Sequence, residues 1–166
     1  MIDVPVLHLE GKNFVSFDVE EGTQKLSIMG TESVTRTVTG EVISPAIDWL
    51  KYKTEITGKG LNGAGLMSLT LGDNIHVACL SWVVEKRSGE AKSPDIFLSR
   101  TAVPGSLKGV DIAGELHGLD MKNPKYKEET VSVVYRPKLS MILTNFSMKT
   151  DQVGRVISWT LVAEEK

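Results

Sequence analysis

Hydrophobic and polar residues alternate along much of the chain with a period of two, which is typical of β-strands buried on one face. The alternation is clearest from Trp49 to Thr57, and it returns from Asn13 to Val19 and from Val156 to Ala163. The segment from Val34 to Ile43 is rich in β-branched residues, whose stiff side chains suit a pleated sheet. These four segments predict a mainly β protein.

Two further segments are apolar on both faces, whereas the helical signal is weak. Asn74 to Val84 and Met141 to Met148 predict central strands, or strands covered on both sides. Pro45 to Leu50 and Leu66 to Leu71 predict one or two helical turns each, and glycines interrupt any helix within residues 105–118. The expected fold is therefore antiparallel β with one or two short helices.

The region 86–129 departs from the regular alternation on either side of it. Its two polar stretches, Lys86 to Ser93 and His117 to Glu129, have the glycine, proline and charged residues of exposed loops. Between them lies the apolar triplet Ile96-Phe97-Leu98. No linker or internal repeat divides the chain, so we expect a single β domain over residues 1–166 with a loop-rich insertion or arm at 86–129.

Composition narrows the class of protein. The 166 residues include 19 Lys+Arg and 21 Asp+Glu, for a formal net charge of -2, and a single cysteine. This balance argues against duplex DNA as the main ligand, because such binding depends on clustered cations. The lone cysteine excludes an internal disulfide and a cysteine-based zinc site. The sequence shows no secretory signal pattern, and none of its apolar runs approaches the length of ~20 residues that a membrane helix needs. We therefore expect a soluble domain without a membrane segment.

No set of residues predicts a catalytic, metal or cofactor site. Gly58 to Gly63 matches the letters of a dinucleotide-binding loop, but no helix pattern follows, which favours a flexible loop. His8, His76 and His117 are far apart in sequence, and His76 is expected to be partly buried in a strand. Cys79 is expected to be inert core filler. Three glutamate pairs are expected to be solvated charges: Glu20-Glu21, Glu128-Glu129 and Glu164-Glu165. The sequence therefore predicts that the protein is not an enzyme.

Exposed aromatic residues would indicate nucleic acid or carbohydrate as a ligand. Tyr126 lies among three lysines, but Glu128 and Glu129 dilute the positive charge that single-stranded nucleic acid needs. The tryptophans lie in or beside predicted strands, so most are expected to anchor the core: Trp49, Trp82 and Trp159. A row of exposed tryptophans would instead favour carbohydrate binding.

Three passages, taken together, resemble a known family. The first is Arg36-Thr37-Val38-Thr39-Gly40-Glu41-Val42, and the second runs from Trp49 to Asp73. The third joins Tyr135-Arg136-Pro137-Lys138-Leu139-Ser140-Met141 with the closing segment from Gly154 to Glu165. In this order they resemble the small β-rich tail and baseplate proteins of tailed bacteriophages that form or begin the tail tube.

The resemblance implies an antiparallel β-sandwich or partly open β-barrel of tail-tube type. It implies a virion structural protein without enzymatic activity, which closes with copies of itself into a ring (a trimer or a hexamer) that forms or extends the conduit for DNA. Its other partners would be neighbouring tail and baseplate proteins, and the host bacterial cytoplasm would be its place of synthesis. The chain lacks the longer helix of many tube proteins, so tube subunit, tube initiator and tail-tip adaptor all stay open.

The region 86–129 supplies the candidate subunit contacts. Ile96, Phe97, Leu98 and Tyr126 are apolar or aromatic residues beside polar loops, and we expect them to touch neighbouring subunits. The alternative hypothesis is a monomeric β-sandwich binding module, with carbohydrate as the expected ligand.

Overall fold

The computed structural model describes residues 7–12, 14–19, 21–29, 35–36, 38–39, 42–43, 51–60, 66–86, 96–119 and 130–166. These residues form fourteen β-strands and one short 3₁₀ turn over residues 66–68, and they contain no α-helix. The prediction of a mainly β protein is confirmed.

The larger of the two main sheets is a curled, antiparallel half-barrel of eight strands. Seven of its strands pair side by side in the spatial order β2 (Phe14–Val19), β1 (Leu7–Gly11), β7 (Asn74–Ala78), β13 (Pro137–Thr150), β14 (Val156–Glu165), β6 (Lys51–Lys59) and β3 (Thr23–Met29). The short strand β9 (Thr101–Ala102) pairs with the beginning of β13. All of these pairings are antiparallel.

The smaller sheet is also antiparallel and has four strands. Their spatial order is β11 (Leu116–Gly118), β10 (Lys108–Asp111), β12 (Thr130–Tyr135) and β8 (Val83–Lys86). A separate two-stranded ribbon pairs β4 (Thr35–Arg36) with β5 (Val42–Ile43). Residues 96–119 thus supply three strands, whereas 87–95 and 120–129 lie outside the described residues, and so does the predicted helix at Pro45 to Leu50.

The chain passes between the two main sheets at two adjacent places. At Arg136, β12 of the smaller sheet ends and β13 of the larger sheet begins. At Cys79 to Trp82, the chain leaves β7 and enters β8. The amide of Cys79 donates to the carbonyl of Pro137 at 3.0 Å, which ties the two crossings together. The sheets are therefore joined at one corner by backbone as well as by packing.

Each sheet covers its own hydrophobic cluster, and the two clusters meet. The larger cluster includes Trp159 and Leu161 of β14, which are almost fully buried, and the smaller one is built around Tyr135. Leu26 and Tyr52 pack against both clusters. The alternation predicted from Val156 to Ala163 is confirmed from Trp159 onward, where every second residue up to Ala163 is buried, whereas Ile157 is 47% exposed.

Two predicted strands are wrong in their extent. The segment from Asn74 to Val84 is not one strand but two, β7 and β8, in different sheets. The Gln24 side chain stabilises the break, since its Oε1 accepts hydrogen bonds from the amides of Leu80 (2.7 Å) and Ser81 (3.2 Å).

The segment from Val34 to Ile43 likewise forms the ribbon of β4 and β5 instead of a single strand, because the chain turns at residues 38–39. Leu66 to Leu71 contains only the single 3₁₀ turn, and residues 105–118 form β10 and β11 instead of a helix. Two of the glycines that interrupt the helical pattern lie in turns, with φ of 76° at Gly105 and 84° at Gly114, whereas Gly109 and Gly118 lie in β10 and β11.

Candidate interaction surfaces

The three histidines and the acidic residues of the described ranges are dispersed over the fold. In the part of the chain that the structure describes, no three His, Cys, Asp or Glu residues converge on a point that could hold a metal ion. His8 Nδ1 lies 2.7 Å from Asp18 Oδ1 across β1 and β2, and His117 Nε2 lies 3.0 Å from the Thr130 hydroxyl. His76 is exposed, contrary to the prediction, because it points away from the core face of β7.

The glycine-rich segment has a packing role at its first residue. Gly58 lies within β6 opposite Trp159 of β14, and a Cβ added there would lie 2.2 Å from Cζ2 of the indole. The predicted loop thus begins later than expected, because β6 continues through Lys59. Residues 61–65 lie outside the described residues. Glycine at this position makes room for a core tryptophan, a role that has no connection with phosphate binding.

The candidate contact residues have different environments. Ile96 is 7% exposed and Leu98 is half-buried, and both pack in the smaller core cluster. Phe97, between them, is 82% exposed. Tyr126 lies outside the described residues. Of the three that are described, Phe97 is the one with a side chain available to a neighbouring molecule.

A polar network fixes the segment that carries Phe97. The Arg100 guanidinium donates to both carboxylate oxygens of Glu165, from Nε at 2.6 Å and from Nη2 at 2.8 Å. These two side chains are only 18% and 14% exposed. Arg100 also lies over the Tyr52 ring, 4.6 Å from its centroid, and the Tyr52 amide donates to Glu165 at 2.9 Å. A bidentate, partly buried pair of this kind holds its backbone firmly.

The same network reaches the smaller sheet through Glu85. Its carboxylate accepts hydrogen bonds from the Ser99 hydroxyl and from the Tyr135 hydroxyl. Ser99 in turn accepts a hydrogen bond from Arg100 Nη1 at 3.1 Å. Residues 99–100 therefore link β8 and β12 on one side with β14 on the other, along the line where the two sheets meet.

Hydrogen bonding and burial raise the pKa values of several groups near this line. Hydrogen bonding to Glu165 raises the pKa of Arg100, which keeps the guanidinium charged. Desolvation, and then the hydrogen bond to Glu85, raises the pKa of Tyr135, and desolvation also raises that of Tyr52. Desolvation raises the pKa of the Cys79 thiol to about 11. The thiol is fully buried, as predicted for core filler, and is protonated at neutral pH.

Two strands form the edges of the larger sheet. β2 and β3 each have one partner strand among those described. The pairing of β3 with β6 runs in unbroken register from Thr23 to Met29. Ile28, near the end of β3, is 40% exposed. A long, regular edge with an exposed apolar residue is a surface on which another strand can pair.

The outer face of the smaller sheet has an exposed tryptophan beside two cations. Trp82 is 46% exposed, contrary to the expectation of a core anchor. Lys108 Nζ lies 5.2 Å and Arg136 Cζ 5.9 Å from the centroid of its ring. Aromatic rings and cations at these distances attract each other.

Sequence reasoning missed most of the charged residues that organise these surfaces. Glu165 was expected to be a solvated charge, but it is mostly buried against Arg100. The signal was present, because the alternation through Trp159, Leu161 and Ala163 continues inward to Glu165. No comparable local pattern marks Arg100, since its partner is 65 residues away in sequence.

No helix in the described ranges is long and apolar enough to cross a bilayer. No protein-family model, curated protein or solved structure matches this chain. The functional argument therefore depends on the fold and on the surfaces described above.

Proposed function

We propose that this chain is a structural protein of a phage tail or baseplate, which assembles into a ring that forms or extends the DNA conduit. The observation that carries the proposal is the curled larger sheet, which has an edge strand at each side among the described strands. A half-barrel with two edges can continue from one copy to the next, and a cyclic arrangement then leaves no edge exposed.

The directions of the edge strands fit such a ring. Six successive antiparallel pairings lead across the sheet from β2 to β3. Because each pairing reverses the strand direction and six is an even number, the two edge strands run in the same direction. Rotation about an axis along the strands preserves strand direction, so β3 of one copy would pair in parallel with β2 of the next. A two-fold dimer would instead join two β3 strands in antiparallel fashion. The proposal therefore specifies which edges meet and how they are oriented.

Phe97 is the proposed apolar contact with a neighbouring tail protein. Its ring is 82% exposed, while Ile96 on one side and the Arg100–Glu165 pair on the other hold the segment in place. An aromatic side chain on a fixed segment loses little conformational entropy when it binds, which suits an interface anchor. The proposed localisation is the virion tail, after synthesis in the bacterial host, and the proposed assembly is a trimer or a hexamer.

The charge of the chain is compatible with a conduit. With 19 basic and 21 acidic residues, the protein has no excess of cations that would hold a passing DNA by its phosphates. We propose that DNA is in transit through the ring and is not a bound ligand. The proposal includes no catalytic step.

A carbohydrate-binding module is the alternative hypothesis, and it needs a row of exposed tryptophans. Of the two tryptophans that the structure describes, Trp159 is 1% exposed and Trp82 is 46% exposed. A single exposed ring does not make such a row, so no observation favours this alternative.

Light scattering over a protein concentration series, followed by negative-stain electron microscopy, tests the proposal. We expect a discrete cyclic oligomer, and we expect Ile28→Lys to weaken it because a charge on β3 opposes strand pairing. Val153→Lys, at a 78% exposed position on the turn between β13 and β14, is the matched control. A wild-type chain that remains monomeric at every concentration would refute ring formation.

A further inference from the structure

The outer face of the smaller sheet is both apolar and exposed. The strand register places Val84, Val110, Val134 and Leu116 on this face, either directly opposite one another or two places apart along a strand. Val84 and Leu116 are 63% and 60% exposed, and the exposed Trp82 lies two places before Val84. Contiguous exposed apolar residues of this kind mark contact with another protein or with a membrane.

Three cations lie among these apolar residues. Lys86 is exposed two places beyond Val84 on β8, and Lys108 is opposite Val134. The half-buried Arg136 approaches the Trp82 ring from the other side of the sheet's end, as described above. None of the three forms an ion pair with a residue in the ranges that the structure describes.

The acidic residues of the same four strands lie on the opposite side of the sheet. Glu85 accepts a hydrogen bond from the hydroxyl of Tyr135, the centre of the smaller core cluster. Asp111 pairs with the buried Thr130, and its carboxylate accepts from the Glu115 amide in the turn that follows β10. The positive charge of the outer face is therefore not neutralised by the strands that form it.

The mixture of apolar and cationic residues indicates an anionic lipid surface. A bilayer offers phosphates to the cations and acyl chains to the aliphatic residues within one plane, and tryptophan favours the boundary between the two. Protein interfaces are depleted of lysine at their apolar centre, whereas Lys108 lies among the valines with its Nζ 5.2 Å from the Trp82 ring centroid. Face-to-face packing with a second copy would bring like charges together.

Two other classes of ligand fit this face less well. An open sheet face does not enclose a small molecule. A duplex nucleic acid would engage the cations through its phosphates but would leave the exposed Val84 and Leu116 without an apolar partner, and it would need a longer basic track.

We propose that the outer face of the smaller sheet, formed by Trp82, Val84, Lys86, Lys108 and Leu116, binds the surface of an anionic lipid bilayer. The strands lie along the membrane plane, the lysines reach the headgroup phosphates, and the Trp82 ring lies at the headgroup boundary. The contact is peripheral. It goes beyond the proposed function and does not require ring formation.

Co-sedimentation of the full-length protein with lipid vesicles tests this contact. We expect binding to vesicles that contain phosphatidylglycerol, little binding to phosphatidylcholine alone, and weaker binding as salt is added. Lys86→Glu and Lys108→Glu should each lower the partition constant at least about tenfold. A cation near an anionic surface contributes about a factor of five to binding, and a charge reversal counts twice. Trp82→Ser should lower the constant at least about fivefold, because the ring no longer leaves water.

Two matched variants serve as controls. Lys149→Glu makes the same charge change at an exposed position of β13 in the larger sheet. Phe97→Ser removes an exposed aromatic residue whose neighbours pack in the smaller core cluster, on the inner side of the smaller sheet. Both variants should bind vesicles as the wild type does, and circular dichroism checks that every variant is folded.

Tryptophan fluorescence gives a second measurement that does not depend on charge. Trp82 passes from water to the headgroup region on binding, so the emission should shift to shorter wavelength and be quenched by brominated lipid. Trp159 is 1% exposed and should not respond. Trp82→Phe should therefore remove both changes, and their persistence in this variant would refute the contact.

The outcomes separate this inference from the proposed function. If rings form but the wild type binds neither kind of vesicle, or if the variants on the face bind as tightly as the wild type, the lipid contact is refuted and the ring proposal stands. Loss of self-association in Lys108→Glu and Trp82→Ser, without any vesicle binding by the wild type, would assign the face to a protein contact and refute the lipid contact. Tighter binding to a duplex oligonucleotide than to vesicles, lost in the same variants, would refute it in favour of nucleic acid. A monomer that binds anionic vesicles through this face refutes the ring proposal alone.

Discussion

Replacing Gly58 with alanine should destabilise the protein, because the new methyl group would overlap the indole of Trp159. The added Cβ would lie 2.2 Å from Cζ2 and 2.5 Å from Cε2, whereas carbon atoms in contact are about 3.5–4.0 Å apart. The ring is 1% exposed and lies in the core of the larger sheet, so it has little room to move.

The magnitude follows from two opposing effects. Overpacking a core costs about 1–3 kcal/mol, while alanine restricts the unfolded chain and recovers about 0.4–1 kcal/mol. We therefore expect Gly58→Ala to lower the free energy of unfolding by about 1–2 kcal/mol. For a chain of this size, that corresponds to a fall in Tm of about 2–8 °C.

Urea denaturation followed by circular dichroism measures this effect, with Gly118→Ala as the matched control. Gly118 also lies in a strand, but no atom lies within 4 Å of its Cβ position, so alanine should be neutral or slightly stabilising there. In a Trp159→Phe background the smaller ring leaves space, and the cost of Gly58→Ala should fall by about 1 kcal/mol. Equal midpoints for the two alanine variants, or an unchanged cost in the phenylalanine background, would refute the steric argument.

Three further predictions concern the groups along the line where the sheets meet. Glu165→Gln should lower the free energy of unfolding by about 1–3 kcal/mol in urea titrations, because it removes the carboxylate charge that faces the partly buried Arg100 guanidinium. Glu164→Gln, in a more exposed pair, should cost about 0–1 kcal/mol, and equal costs for the two variants would contradict this. Cys79 should react with a thiol reagent at pH 8 far more slowly in the native protein than in urea, because its side chain is fully buried and its pKa is about 11. Similar reaction rates in the two conditions would show that the thiol is accessible. The pKa of the Tyr135 hydroxyl is raised in the folded state, so this proton stabilises the fold below pH 10 and the stabilisation is lost as the pH rises above 10. Tyr135→Phe should flatten this alkaline loss of stability in unfolding titrations, and an unchanged slope would contradict the assignment.

Local sequence predicted the strands of the core well. From Trp159 to Ala163 the alternation gave the buried face of β14, and in the segment from Trp49 to Thr57 it gave the buried positions Thr54 and Ile56 of β6. This succeeds because side-chain direction in a strand depends only on the parity of the position. Extending the same alternation to Glu165 would have placed its carboxylate inside.

The ends of strands and the exposure of single aromatic residues could not be predicted in this way. β7 ends at Ala78 because the chain changes sheets, and the side chain that supports the change, Gln24, is more than fifty residues away. Trp82 and Trp159 have similar local surroundings in the sequence. One precedes an edge strand of the smaller sheet and is exposed, whereas the other lies in an interior strand of the larger sheet and is buried.

By itself, the sequence determined that the protein is mainly β, which faces of its core strands are apolar, and that its one cysteine lies in the core. The tertiary structure alone decided that Arg100 reaches Glu165 and that Lys108 and Arg136 meet at Trp82. The physical reason is that periodicity records the two sides of one strand, a local property. Which charges meet depends on how distant strands pair and how the two sheets are joined, and no short segment contains that information.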